Sequence, residues 1–281
     1  MLDLTPTQRA YVLQFQHKEK LLAGIPGVGD ATVAALWELD AATYRRIRET
    51  FSERARRAAR ELLADDAFAA RVGRLPFAAG ATVVGLGDSI TDDDQSWLEI
   101  LRHLLALRRP QDQIQVLNEG LSGDTTAQMI ARFLDVVLEQ PDWIFCLAGT
   151  NDARLHGQYP TKTLVSLSET AANLDMLRNF GATQCPARWL WITPATVIEG
   201  QIERDWFLSP FELRWRNRDL TAIARAVEDV AEQGQDPCVN LQEVFGLPPD
   251  PVLLLPDGLH PSLAGQTAIV RAVVETLTAR P

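Results

Sequence analysis

Residues 81–91 read Ala81-Thr82-Val83-Val84-Gly85-Leu86-Gly87-Asp88-Ser89-Ile90-Thr91, a short β-rich apolar run that gives way to glycine, aspartate and serine. An apolar run without polar alternation predicts a strand buried on both faces, here over 81–86. The small and polar residues after it predict a tight turn into a helix. The same punctuation recurs downstream. Ile114–Leu117, Trp143–Leu147, Trp189–Thr193 and Cys238–Leu241 are further strand candidates, and helical candidates lie at 95–108, 125–139, 161–180, 210–233 and 262–279. Strand followed by helix, five times over, implies a parallel sheet with helices on both faces, a doubly wound α/β fold.

Upstream the pattern is different. Residues 6–75 read as helices only, with Tyr44, Ile47, Phe51, Ala55, Ala58 and Leu62 at helical spacing and Asp40 placed to cap the start. The stretch Gly24-Ile25-Pro26-Gly27-Val28-Gly29 reads as a turn between two of these helices. The expected organisation is therefore a helical extension over 1–75, acting as lid, dimer contact or binding appendage, and an α/β domain over 76–281.

With 281 residues, 46% of them hydrophobic, the chain buries a sizeable core without staples. Its three cysteines, Cys146, Cys185 and Cys238, have neither metal-ligand spacing nor a paired framework, which predicts reduced thiols. No basic start followed by an apolar run is visible, and no stretch approaches the roughly 18 apolar residues of a membrane span. A cytoplasmic protein without membrane partners is the expectation. The net charge of −10 is uneven. Residues 1–75 carry 12 Lys/Arg against 10 Asp/Glu, whereas 76–281 are strongly acidic and poorly suited to nucleic acid.

In a doubly wound sheet, ligands bind in the crevice beyond the carboxyl ends of the strands. The loops there read Gly87-Asp88-Ser89, Asn118-Glu119-Gly120-Leu121-Ser122-Gly123-Asp124-Thr125, Gly149-Thr150-Asn151-Asp152 and Asp257-Gly258-Leu259-His260. Taken singly, each has an ordinary reading as turn and cap chemistry, with Thr125 or Asp124 capping the next helix.

Together, in this order and each after its expected strand, the four blocks resemble the SGNH (GDSL) hydrolase family. The resemblance covers about residues 80–280 and says nothing of 1–75. It implies a flavodoxin-like three-layer fold, hydrolysis of acyl esters through a serine, and an oxyanion hole made by the backbone N–H groups of Ser89 and Gly123 with the side-chain amide of Asn151. One departure is Asp92-Asp93-Asp94, where many relatives carry a glycine nearby. A solvated acidic loop is expected there.

The chemistry is consistent with those residue types. A serine hydroxyl needs a base, and imidazole titrates near the working range, so Ser89 is expected as nucleophile with His260 as its base. Asp257 is placed to hold the tautomer and to stabilise the imidazolium. Asp88 and Asp152 read as loop and helix-cap carboxylates beside the substrate rather than as catalysts. The aromatic stretch with Trp206, Phe207, Phe211 and Trp215 is expected to be divided between packing and a substrate-facing wall, with Trp206 as the binding candidate. No metal or other cofactor is expected, since His17, His103, His156 and His260 are scattered. His156 is expected on the surface.

The expected partner is a small-molecule acyl ester, short-chain or carbohydrate-linked. Thioesters and lysophospholipids are the alternatives within the fold. A different reading makes the protein a scaffold that contacts nucleic acid or protein through its N-terminal helices, because residues 24–32 look like a helix-hairpin-helix turn and residues 45–60 are rich in arginine. Against it, those arginines are expected to pair with neighbouring carboxylates. Homo-oligomer formation is left open by the sequence.

Overall fold

Successive side chains of a strand leave on opposite faces, so a strand apolar at every position needs cover on both. The computed structural model, which describes residues 4–22, 25–157, 159 and 161–279, has that cover. Ahead of the sheet lie α1 (Pro6–Phe15), α2 (Asp30–Leu36), α3 (Ala41–Leu63) and α4 (Asp66–Gly73). The strands are β1 (Thr82–Gly87), β2 (Gln115–Gly120), β3 (Trp143–Leu147), β4 (Leu155–His156), β5 (Arg188–Ile192), β6 (Leu213–Arg214) and β7 (Cys238–Val239). Five of them form a parallel sheet in the order β2-β1-β3-β5-β7, the flavodoxin-like order, while β4 and β6 pair as a small antiparallel ribbon.

The helices after β1 are α5 (Ser89–Asp92), α6 (Trp97–Arg108), α7 (Thr126–Ala131), α8 (Phe133–Leu138), α9 (Leu167–Gln184), α10 (Glu199–Ile202), α11 (Asn217–Gly234), α12 (Leu241–Phe245) and α13 (Leu263–Thr278). Val83, Phe145, Leu147, Leu190 and Ile192 pack on one side with α3, α4, α6, α12 and α13. Val84, Leu86, Ile144, Cys146, Trp189 and Trp191 pack on the other with α7, α8, α9 and α11. Three layers result, as the resemblance implies.

The five expected strands are present with shifted ends. β2 runs on to Gly120 because that glycine lies against α5: a Cβ there would come within 2.4 Å of the Asp92 backbone nitrogen. β7 stops at Val239 because Asn240 turns to cap α12, accepting from Gln242 N at 2.9 Å. The helix expected over 125–139 is divided at Arg132, and the one expected from 210 begins at Asn217, after the β6 ribbon. That ribbon has two residues per strand, too short for a periodic signal.

The N-terminal helices form as read. Asp40 caps α3 by accepting from Thr43 N, and Tyr44, Phe51, Ala55, Ala58 and Leu62 are buried along one stripe. Burying a side chain the size of Phe51 or Leu62 stabilises by about 1.5–3 kcal/mol. Ala55, Ala58, Ala59 and Leu62 of α3, with Phe68 and Val72 of α4, share the cluster that contains Val83 and Leu101. Packing is therefore continuous across the boundary expected at residues 75 and 76. Of the expected glycine turn, Gly24 lies outside the described residues, and the rest joins a short 3-10 turn to α2. Several arginines of α3 find carboxylates, with Arg45 near Asp30, Arg56 and Arg60 near Glu53, and Arg57 near Glu61. Among the described residues no helix is long and apolar enough to cross a membrane. Cys146, Cys185 and Cys238 are free thiols.

Candidate active site

The strand-to-helix turn after β1 sets the first group. Asp88 caps α5 by accepting from Ile90 N at 3.0 Å, which leaves Ser89 at the first helical position with its hydroxyl over the carboxyl ends of the strands. Ser89 Oγ lies 3.0 Å from His260 Nε2. On the other side of the ring, His260 Nδ1 lies 2.8 Å from Asp257 Oδ2. Asp257 Oδ1 accepts from Leu259 N at 2.7 Å and His260 N at 2.9 Å, so the turn that carries both residues locks the carboxylate under the imidazole. The three-residue spacing read from sequence thus has a structural cause.

Burial and charge oppose one another here. Burial alone would push the imidazole down, but the charge and hydrogen bond of Asp257 outweigh it and hold His260 above its ordinary value of 6.5. Burial pushes Asp257 up, yet His260 and Tyr11 more than offset it, keeping the carboxylate below its usual range.

Gly123 adopts φ +88°, the left-handed region open to glycine, and a Cβ there would meet nothing within 4 Å. Its amide and that of Ser89 donate to no acceptor among the described residues. Asn151 is buried and its amide nitrogen lies 3.1 Å from Asp124 O and 3.5 Å from Asp88 Oδ2. Thr125 caps α7, its N–H bonding the Gln128 side chain at 3.0 Å. Ser89, Gly123, Asn151 and His260 line one cavity of about 100 Å³.

The same cavity is lined by Tyr11, Val12, Phe15 and Gln16 from α1 and its C-cap, which sequence reading did not find. The Tyr11 hydroxyl donates to Asp257 Oδ2, and the Phe15 ring stacks on His260 at 4.3 Å between centroids. Burial and the Asp257 charge push the Tyr11 pKa far above 10, so the phenol stays a donor. Nothing local marks a tyrosine 246 residues from its partner.

The acidic run Asp92-Asp93-Asp94, expected in solvent, is instead the seat of this N-terminal cover. Asp92 and Asp93 are buried. His17 Nδ1 lies 3.0 Å from Asp92 Oδ1 and its Nε2 3.4 Å from Asp94 Oδ2. Lys20 reaches Asp92 at 2.6 Å, Arg48 reaches Asp94 at 2.6 Å, and Gln14 donates to Asp93 at 2.9 Å. Isolated buried carboxylates would be costly, and paired cations remove that cost. Burial pushes Asp93 up to about 7, while His17, pushed down by burial, is carried by Asp92 and Asp94 to about 9.

A histidine whose folded pKa is raised stabilises fully below its unfolded value near 6.5, and that contribution is lost as pH rises through about 9. Asp93, whose folded pKa is likewise raised by burial, acts with the same sign, but its fall in stability lies between the ordinary carboxyl value and about pH 7. Thermal stability is therefore expected to fall between about pH 7 and 9, by an amount on the order of 3 kcal/mol. In His17→Gln this contribution should be lost, leaving only the fall that His260 adds because its pKa is also held above 6.5; differential scanning calorimetry checks it.

The remaining expectations resolve by burial. Asp88 and Asp152 are fully buried behind the residues that line the cavity. Asp152 accepts from Thr126 N and Thr170 Oγ1 at 3.0 Å each, tying the third loop to α7 and α9. Trp206 also stays off the cavity lining; its ring meets Tyr11 edge-on at 5.7 Å and supports α1. Of the aromatics in the 206–215 stretch, Trp215 and Phe207 face the cavity, with Trp215 Nε1 donating to Thr150 O at 2.8 Å. Phe211 and His156 are exposed.

Residues 86–268 match the model of the GDSL-like Lipase/Acylhydrolase family. An acetylxylan esterase from Geobacillus stearothermophilus is 27% identical over 222 residues, 71% of this chain and 94% of that protein. A crystal structure of a catalytic mutant of an acetylxylan esterase from that organism superposes with a TM-score of 0.58 at 26% identity, covering 72% of this chain and 95% of that one. An alpha/beta hydrolase enzyme from the metagenome of Lake Arreo, Spain, 24% identical with a TM-score of 0.58 over 72% of this chain and 97% of its own, shares the fold. With the match running from the end of β1 into α13 and taking in all four strand-end loops, the chain belongs to the GDSL-like lipase/acylhydrolase family and is an esterase that cleaves acyl esters.

Proposed function

We propose that Ser89 attacks the ester carbonyl, that His260 takes its proton, and that the enzyme removes a short acyl group, acetyl foremost, from a carbohydrate hydroxyl. The observation that carries this is the unbroken chain from Ser89 Oγ through His260 to Asp257, opening on a cavity of only about 100 Å³. Such a volume suits an acetyl or propionyl group better than a lipid chain. The similarity to an acetylxylan esterase supports the carbohydrate side.

In this reading the Ser89 oxygen bonds the carbonyl carbon as His260 Nε2 accepts the hydroxyl proton. Charge developing on the carbonyl oxygen is met by the amides of Ser89 and Gly123 and by Asn151. Collapse expels the sugar hydroxyl, which takes the proton from His260. Water then repeats the sequence on the acyl-enzyme and releases the acid. Tyr11 and Phe15 position the relay, the first through Asp257 and the second against the ring face.

Release of acetate from acetylated xylo-oligosaccharides, together with turnover of p-nitrophenyl acetate well above butyrate and octanoate, is the expected result. Preference for octanoate would overturn the short-acyl reading. Because Asp257 holds His260 above 6.5, kcat/KM should rise with pH along a limb centred above 6.5. Asp257→Asn should lower that midpoint, whereas Tyr11→Phe, which returns charge density to the carboxylate, should raise it further. Initial-rate pH profiles of the three proteins check both directions.

A further inference from the structure

Arg154 follows the third loop and lines the same cavity as Ser89 and Asn151. In a chain of net charge −10, it is a half-buried guanidinium with no carboxylate at ion-pair distance among the described residues. Its Nη1 lies 3.4 Å from Asn151 Oδ1 and its Nε bonds His156 Nε2 at 3.0 Å, both uncharged partners. Burial lowers its pKa, and no acid offsets that effect. Lys162 likewise has no carboxylate at ion-pair distance among the described residues and bonds the carbonyls of Thr163 and Leu164; burial first, then Arg154 and Lys162, lower His156. Elsewhere the half-buried arginines Arg48, Arg109, Arg132 and Arg178 each hold a carboxylate.

A guanidinium kept partly out of water without a counter-ion is unfavourable in the empty enzyme and favours a bound anion. Within the acyl-esterase reading above, we propose that Arg154 binds a carboxylate carried by the substrate, so that the preferred esters are acylated hydroxy acids, including sugar acids esterified at a neighbouring hydroxyl. The planar fork of arginine suits a carboxylate through two parallel N–H donors. One of those donors already leans on Asn151, which places the anion site beside the oxyanion position and within a few bonds of the reacting carbonyl.

The test compares matched esters on wild type, Arg154→Gln and Arg154→Lys. O-acetyl-lactate against O-acetyl-lactamide places the charge on the alcohol side; mono-4-nitrophenyl adipate against 4-nitrophenyl hexanoate places it on the acyl side. In wild type the acetyl-lactate should show a KM lower than its neutral match by roughly tenfold or more, the size of a charge-assisted hydrogen bond. Arg154→Gln should erase that ratio and Arg154→Lys retain part of it, with near-ultraviolet circular dichroism confirming the fold. A preference on the acyl side alone would overturn the hydroxy-acid assignment. Equal KM values in wild type, or a preference that survives in Arg154→Gln, would overturn anion binding altogether. Should none of the four esters turn over, the esterase chemistry at Ser89 fails, and calorimetric binding of lactate against lactamide then decides the Arg154 site by itself.

Discussion

Ser89→Ala is expected to turn over p-nitrophenyl acetate at least about 10,000-fold more slowly than wild type while melting within a degree or two of it. The size follows from the arrangement. Among the described residues Ser89 Oγ is the hydroxyl placed 3.0 Å from His260 Nε2, and in the proposed mechanism its loss leaves the His260–Asp257 pair no nucleophile to activate. Catalytic groups that act as one unit lose nearly the whole effect when any member is removed. What remains is binding and the oxyanion donors, which do not make a covalent intermediate. The fold should be indifferent, because Asp88, not the Ser89 side chain, caps α5. Steady-state kinetics with purified protein, extrapolated against a mock preparation, measure the loss.

Asn151→Ala should cost on the order of 100- to 1,000-fold in kcat, with KM little changed. The amide nitrogen stands at the cavity surface between Asp124 O and Asp88 Oδ2, and rotation toward the substrate oxygen adds a donor where negative charge develops. An interaction stronger in the transition state than in the ground state appears in kcat rather than KM. Removal also leaves Arg154 Nη1 without one partner, a surface-side contact at 3.4 Å that bears on substrate charge more than on folding. A rise in KM at constant kcat would mean that Asn151 only holds substrate.

The parts of this account that sequence made legible share a property: their signal is local. Val83, Val84 and Leu86 announce a doubly covered strand because both faces are apolar, and the glycines, aspartates and asparagine of the four loops sit where turns demand them. Asp257 and His260 are readable as a pair because one turn carries both. The rest depends on long-range pairing. Three consecutive aspartates read as solvated until His17, Lys20 and Arg48 arrive from positions 46 to 75 residues away and make burial favourable. Tyr11 and Phe15 carry no local mark of their role; that they cover His260 and Asp257 is a tertiary fact. Asp88 and Asp152 pose the same difficulty, since a carboxylate that caps its own loop and one that meets a ligand look alike in a string of letters. Likewise, the extension read as an appendage shares its core with the sheet through Ala58, Leu62 and Phe68, a contact periodicity cannot report.

Labelling with a fluorophosphonate probe, followed by digestion and mass mapping of the modified peptide, tests the central assignment most directly. A single adduct on Ser89 in wild type, and no labelling of a folded Ser89→Ala, is the expected result. An adduct on another serine, or equal labelling of Ser89→Ala, would contradict it.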